Sequence, residues 1–154
     1  MAGTITQKDL FGVLTPDHVH AISDVAEKVK LKAGQTVYTK GDKASWFFVI
    51  LKGEVALRLP GSEDVSVHVA QLGPGAIFGS CLGFRRAAYA VTAQCTQSAE
   101  LLKVENKVLK KMMDRDPRMG YILQSYLSDV YFSRYLDTMR KLQAIVVHLP
   151  LESA

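Results

Sequence analysis

The apolar residues along this chain keep two different periods. Val19, Ile22, Val25, Ala26 and Val29 recur at three- and four-residue spacing, the mark of a helix with one buried face. Thr15-Pro16-Asp17 sets its start: the threonine side chain caps the first turn, proline fits the first helical position, and aspartate favours the positive end of the helix dipole. Gly34 is expected to end this section in a turn. From about residue 35 to 105 the period drops to two. Residues 46–51 are apolar at every position, which predicts a strand buried on both faces. Val55, Leu57 and Leu59 alternate with Ala56 and Arg58, and Val65, Val67 and Val69 alternate with Ser66, His68 and Ala70, so two half-exposed strands are predicted. Gly41-Asp42, Lys52-Gly53-Glu54, Pro60-Gly61 and Gly73-Pro74-Gly75 punctuate the section, and short strands with turns at this spacing argue for a sandwich or barrel.

Helical spacing returns near Asn106. Val108, Leu109, Met112 and Met113 predict a short helix, which Asp116-Pro117 interrupts because the residue before a proline is pushed out of the α region. A long helix is then expected over 117–145. Its apolar positions, Met119, Ile122, Leu123, Tyr126, Leu127, Val130, Tyr131, Tyr135, Leu136, Met139 and Leu142, form a stripe wider than one face needs. A helix of ~29 residues spans ~43 Å, longer than a small barrel. Leu123, Leu127, Val130, Tyr131, Met139 and Leu142 are therefore expected to pack against something beyond their own domain, with a two-fold mate of this helix as the first candidate.

Composition narrows the class. At 154 residues, 48% hydrophobic and 22% charged, the chain suits one globular domain with one sizeable core. The net charge of +4 comes from 19 basic and 15 acidic residues; the basic ones are scattered and form no block, so they read as solvated surface. No apolar run approaches the ~18 residues a membrane span needs, and the first ten residues lack the features of a signal peptide, so a cytoplasmic location is expected. Cys81 and Cys95 form no C-x-x-C pair and are expected to be free thiols, both as small buried hydrophobes, with a thiol activated by Arg85 and Arg86 as the other reading for Cys81.

Catalytic constellations find little support. His18 and His20 are two apart and cannot share a helix face as a metal pair. His68 is the single histidine in the β section, on an outward position, which argues against a metal-dependent barrel enzyme. Ser80, Tyr89 and His68 match no nucleophile spacing, and two cysteines are too few for an iron–sulfur cluster. No catalytic residue, metal or certain cofactor is assigned, and the chain is expected not to be an enzyme.

The order helix, barrel, short helix, long helix resembles the cyclic-nucleotide-binding domains of the catabolite activator protein superfamily. Lys40-Gly41-Asp42 with residues 46–55 is similar to that family's glycine-punctuated hairpin, residues 72–79 to the approach to its phosphate-binding cassette, and residues 99–104 to its last barrel strand. The resemblance implies a mainly β fold: a double-stranded β-helix (jelly-roll) barrel over about 30–105, flanked by an N-terminal helix and by C-terminal helices over about 106–145, all within one domain of 10–145 and followed by a tail of 146–154. Nine tail residues are too few for the helix-turn-helix domain of the family's DNA-binding members, so neither DNA nor membrane is expected as a partner.

The cassette departs from the family pattern. That pattern runs Phe-Gly-Glu, a short helical turn, then Arg-x-Ala-Thr/Ser; the glutamate accepts from a ribose hydroxyl and the arginine pairs with the cyclic phosphate through its planar fork. Here Ser80 follows Phe78-Gly79, and Tyr89 stands at the arginine position before Ala90, Val91 and Thr92. The resemblance implies a ligand-binding loop of Phe78, Gly79, Ser80, Cys81, Leu82, Arg85, Arg86, Tyr89, Ala90 and Thr92. Arg85 and Arg86 are either replacement phosphate anchors or solvated loop charges. On the long helix it places Arg134 and Tyr135 at the base-contacting positions; the other reading is a surface charge and an interface aromatic. The function implied is a small-molecule sensor for a cyclic nucleotide or related phosphate ligand, homodimeric through the long helix and passing its signal to a downstream protein whose identity the sequence does not name. The alternative is an interaction scaffold without a ligand.

Overall fold

A computed structural model describes residues 10–79 and 87–147. Two helices open it, α1 (Leu10–Val13) and α2 (Pro16–Val25). As expected, Thr15 caps α2, its side chain accepting from the His18 amide at 3.3 Å, with Pro16 in the first turn. Eight strands follow: β1 (Glu27–Leu31), β2 (Thr36–Tyr38), β3 (Trp46–Lys52), β4 (Val55–Pro60), β5 (Ser66–Leu72), β6 (Ile77–Gly79), β7 (Thr92–Cys95) and β8 (Ala99–Glu105). The chain closes with α3 (Asn106–Arg115) and α4 (Pro117–Val147), broken at Asp116 as the proline requires.

The strands form two four-stranded antiparallel sheets, ordered β1-β8-β3-β6 and β2-β7-β4-β5. This is the mainly β, jelly-roll architecture with an N-terminal helix and a long C-terminal helix. The double-sided apolar run in β3 follows from its place in it. Phe48 and Ile50 point into the space between the sheets, where they pack with Tyr38, Leu57, Phe78 and Leu101. Phe47 and Val49 point the other way, onto a second core shared with Ile22, Leu109, Met119 and Leu123 from the helices. A strand with a sheet behind one face and helices behind the other has no wet side. The Lys52-Gly53-Glu54 turn is held to glycine by two constraints: φ is +84°, and a Cβ would overlap the Ser98 carbonyl oxygen.

The helical spacing read as far as Val29 stops at Val25: Val29 lies in β1, paired with Leu101 of β8, because the pattern of apolar residues alone does not mark where the helix gives way to a strand. Two further expectations need correction. The alternation at Val65, Val67 and Val69 does not mark a face buried along its length: Val65 and Val67 are 66% and 59% exposed. β5 is an edge strand, and among the described residues no layer covers the tip of the β4–β5 hairpin; Leu72 at its base is buried. The second correction concerns the wide stripe on the long helix. Leu123, Leu127 and Val130 are buried inside the domain, packed with Met119 and Tyr126 against Phe47, Val49, Ile77 and Val104, and Tyr131 is partly buried on the same core. The first half of α4 lies among the outer face of one sheet, α3 and α1, so more than one of its faces is covered. Met139 and Leu142 remain exposed. Cys95 is buried, in β7, as expected. His68 is exposed on β5.

Candidate functional site

A cavity of about 410 Å³ lies between the second half of α4 and the barrel, within the range of roughly 300–1,000 Å³ typical of small-molecule sites. Tyr38, Leu57 and Val69 line it from the second sheet, Gly79 from the end of β6, Ala88, Tyr89 and Ala90 from the segment before β7, and Tyr131, Arg134, Tyr135 and Thr138 from α4. The four α4 residues follow one another at spacings of three, one and three, so they share one helix face.

Tyr89 explains much of this wall. It is expected from the sequence in the cassette; in the structure it is a fixed part of the floor. Its ring stacks on Tyr38 with centroids 3.7 Å apart and planes 13° apart. Its hydroxyl donates to the Trp46 carbonyl at 3.0 Å and accepts from the Trp46 amide at 3.1 Å. Burial raises the pKa of this phenol, so it stays neutral. A neutral hydroxyl already engaged in both directions offers a phosphate neither charge nor a spare proton. Tyr38 is held the same way: burial, with smaller contributions from Tyr131 and Tyr89, pushes its pKa far above the ordinary tyrosine value.

Arg134 is the cation that the described lining residues bring to the cavity. Its Nη2 donates to the Ile77 carbonyl of β6, and its guanidinium stands 5.3 Å from the centroid of the Tyr131 ring. Further along α4, Lys141 Nζ donates to the Val69 carbonyl of β5 at 3.0 Å. Two cationic side chains, seven residues apart, thus tie the helix to backbone carbonyls on either side of the cavity. Tyr135 lies between them, half-exposed, with its ring centroid 6.1 Å from that of Phe132.

The structure brings together Gly79, Tyr89, Ala90, Arg134 and Tyr135 of the residues expected from the sequence. Phe78 is buried between the sheets, stacked on Phe48 at 5.1 Å, and Thr92 accepts from the Lys40 amide at 3.0 Å instead of lining the cavity. Gly79 has φ +106° and a Cβ there would come within 2.8 Å of the Trp46 carbonyl oxygen, so the chain turns out of β6 only with glycine at this point. Ser80, Cys81, Leu82, Arg85 and Arg86 lie outside the described residues. Tyr38, Leu57, Val69, Tyr131 and Thr138 were not foreseen; helical spacing from Arg134 points to Tyr131 and Thr138, whereas nothing local marks Tyr38. Among the described residues no group of three His, Cys, Asp or Glu side chains is placed to hold a metal ion, and no helix is long and apolar enough to cross a membrane.

The family model of the cyclic nucleotide-binding domain matches residues 28–116. A protein named as a potassium channel protein of Rhodopseudomonas palustris is 25% identical over 116 residues, covering 75% of this chain and 28% of that protein. The chain therefore spans just over a quarter of the length of that relative. Among solved structures, a cyclic nucleotide-binding domain from Methylobacillus flagellatus superposes with a TM-score of 0.78 at 16% identity, over 92% of this chain and 80% of that one. A c-di-GMP responsive global regulator of Xanthomonas campestris superposes with a TM-score of 0.74 at 18% identity, over 88% of this chain and 66% of that one.

Proposed function

The chain belongs to the cyclic nucleotide-binding domain family, and from that membership we propose that it is a regulatory module that takes a small anionic, nucleotide-like ligand in the cavity beneath α4, with a preference other than cAMP. The observation that carries this reading is Tyr89. The cavity is of ligand size and tyrosine-walled, yet the position of the phosphate-binding arginine is occupied by a neutral phenol bonded to Trp46 in both directions. The charge for an anion then falls to Arg134, or to Arg85 and Arg86, which lie outside the described residues. A lost charge-assisted contact costs about 1.5–3 kcal/mol, enough to weaken a micromolar site by at least tenfold. The aromatic walls suit a planar base, which stacks on any π-face.

The relay runs through α4. Phe132, Tyr135, Met139, Leu142 and Val146 are exposed at alternating spacings of three and four, the a/d seam of a two-stranded coiled coil. Two copies joined along this seam form a closed, self-complementary pair. Tyr135 belongs both to the seam and to the cavity wall, so a ligand that moves its ring changes how the two helices pack. The second reading, an interaction scaffold without a ligand, draws on the same floor: Tyr89 closes the place where a phosphate would sit.

Titration calorimetry with cAMP, cGMP and a cyclic dinucleotide tests the proposal. Binding of at least one nucleotide is expected, with cAMP weaker than micromolar and with loss of binding on Arg134→Ala or on the double change of Arg85 and Arg86 to Ala. Submicromolar cAMP affinity would overturn the preference. No heat with any of the three, together with no nucleotide released from the purified protein on denaturation, would leave the scaffold reading.

A further inference from the structure

The helix α3 carries a charged face that the linear sequence disguises. Residues 107–118 contain five Lys or Arg and two Asp, so +3 of the chain's +4 sits in twelve positions. Read along the chain these residues are interrupted by apolar ones. Folded, the two kinds separate. Leu109 is buried in the helix-side core, Met112 and Met113 are partly buried against it, and Val108 is partly buried. Lys107, Lys110, Lys111, Asp114 and Arg115 are all exposed. Their spacings from Lys107, of three, four, seven and eight, are those of a single helix face about 12 Å long at 1.5 Å per residue. Arg118 and Tyr121, three apart and both exposed, continue with cation and aromatic on one face of the first turn of α4.

On this face Asp114 is the one acidic residue among four Lys and Arg. Among the described residues none of Lys107, Lys110, Lys111, Arg115 and Arg118 takes part in an ion pair. The nearby Asp116 is occupied, accepting from the Met119 amide and from His18. The basic residues on the outer sheet behave differently: Lys28 and Lys30 reach Glu100, and Lys103 reaches Glu27.

We propose that this face of α3, with Arg118 and Tyr121, is a docking surface for an acidic segment of another protein. Charge complementarity fixes the sign of the partner. The form of the patch selects its class. A membrane-surface helix inserts apolar side chains from the face it presents, and the apolar side of α3 is turned into the domain. A nucleic-acid surface usually extends its cations along several phosphates or interleaves them with stacking aromatics, whereas this stripe is two helical turns long. Two turns of Lys and Arg match an acidic helix with carboxylates four apart, and a tyrosine beside an arginine is the composition enriched at protein interfaces. The surface adjoins the α3–α4 break, so a protein held there sits at the root of the helix that roofs the cavity.

The probe is a synthetic helical peptide with glutamate at every fourth position, measured by fluorescence anisotropy against the intact chain. Binding is expected to weaken at least tenfold when Lys107, Lys110, Lys111 and Arg115 are all changed to Gln, and to be retained when the exposed Lys28, Lys30, Lys32 and Lys52 are changed instead. Equal loss in the two quadruple variants, or no binding by the unmodified chain, would overturn the proposal. So would a larger loss on duplex DNA or on phosphatidylserine vesicles than on the peptide, since the face would then serve a different class of partner. Circular dichroism on each variant separates a lost surface from a lost fold.

Discussion

Asp116 is a single residue with three tasks. It ends α3, its Oδ1 accepts from the Met119 amide at 3.1 Å to start α4, and its Oδ2 lies 2.9 Å from Nε2 of His18 on α2. The bond from the Met119 amide leads in lowering its pKa, and His18 adds to it. The consequence for stability has a definite sign. A carboxyl that titrates lower in the folded chain binds fewer protons there than in the unfolded one. Its contribution is whole above the ordinary aspartate value of about 3.9 and is lost as pH falls through the folded value. Asp116→Asn keeps the shape and the acceptor oxygen but removes the charge. Its thermal midpoint should lie below that of the unmodified chain at neutral pH, with the gap closing towards acid. A gap that stays constant across that range would show that charge at Asp116 has no part in holding the joint. Tyr89 teaches a related lesson at the same scale: a tyrosine among the candidate cassette residues was readable, while its hydrogen bonds to Trp46, 43 positions away, were not.

At the scale of elements, α4 is two helices in function. It has 31 residues, ~46 Å at 1.5 Å per residue. Its first half buries Met119, Leu123, Leu127 and Val130 in the domain, and its second half leaves Phe132, Tyr135, Met139 and Leu142 outside. The two halves predict opposite outcomes for the same substitution. Leu127 is 2% exposed, so Leu127→Asp places a carboxylate in the core and should abolish the cooperative unfolding transition; the milder Leu127→Ala should cost about 2–5 kcal/mol. Leu142 is 52% exposed, so Leu142→Asp should leave the monomer folded and break only the proposed seam. Light scattering checks this directly: twice the 17.0 kDa chain mass for the unmodified protein, and the single chain mass for Leu142→Asp with unchanged circular dichroism. A monomeric unmodified protein at micromolar concentration would remove the homodimer, and the exposed seam would then need another partner.

For the molecule as a whole, Tyr135 is the residue through which the cavity would be coupled to the proposed dimer, because it lines the cavity and is also exposed on the face of the proposed seam. Tyr135→Ala should therefore lower ligand affinity and dimer affinity together. Linkage makes the coupling measurable: ligand at a hundred times its Kd stabilises the native state by about 2.7 kcal/mol, and any part of that which acts through the dimer depends on protein concentration. A variant that loses ligand affinity with the dimer constant unchanged would place the two sites in independent parts of the helix.

What the sequence determined by itself was whatever depends on neighbours a few positions apart. The helix start at Thr15, the break at Asp116-Pro117 and the doubly apolar β3 all follow from local sterics, hydrogen bonding and hydrophobic period, and with the turn signals between the strands they were enough for the mainly β architecture with its flanking helices. Tertiary structure decided everything that depends on what lies opposite. The alternation of Val65 and Val67 has the period of a buried face, but period does not say whether a layer covers it, and among the described residues none covers the hairpin tip. Leu127 and Leu142 look alike in the sequence, yet Leu127 packs in the core with Phe47, Val49 and Met119 while Leu142 is exposed, so one is core and the other surface. The lysines of α3 look scattered until the helix turns them to one side. Tyr38 meets Tyr89 across 51 positions because β2 pairs with β7, which the segment carrying Tyr89 leads into, a contact that exists only once these two strands, far apart in the chain, have paired.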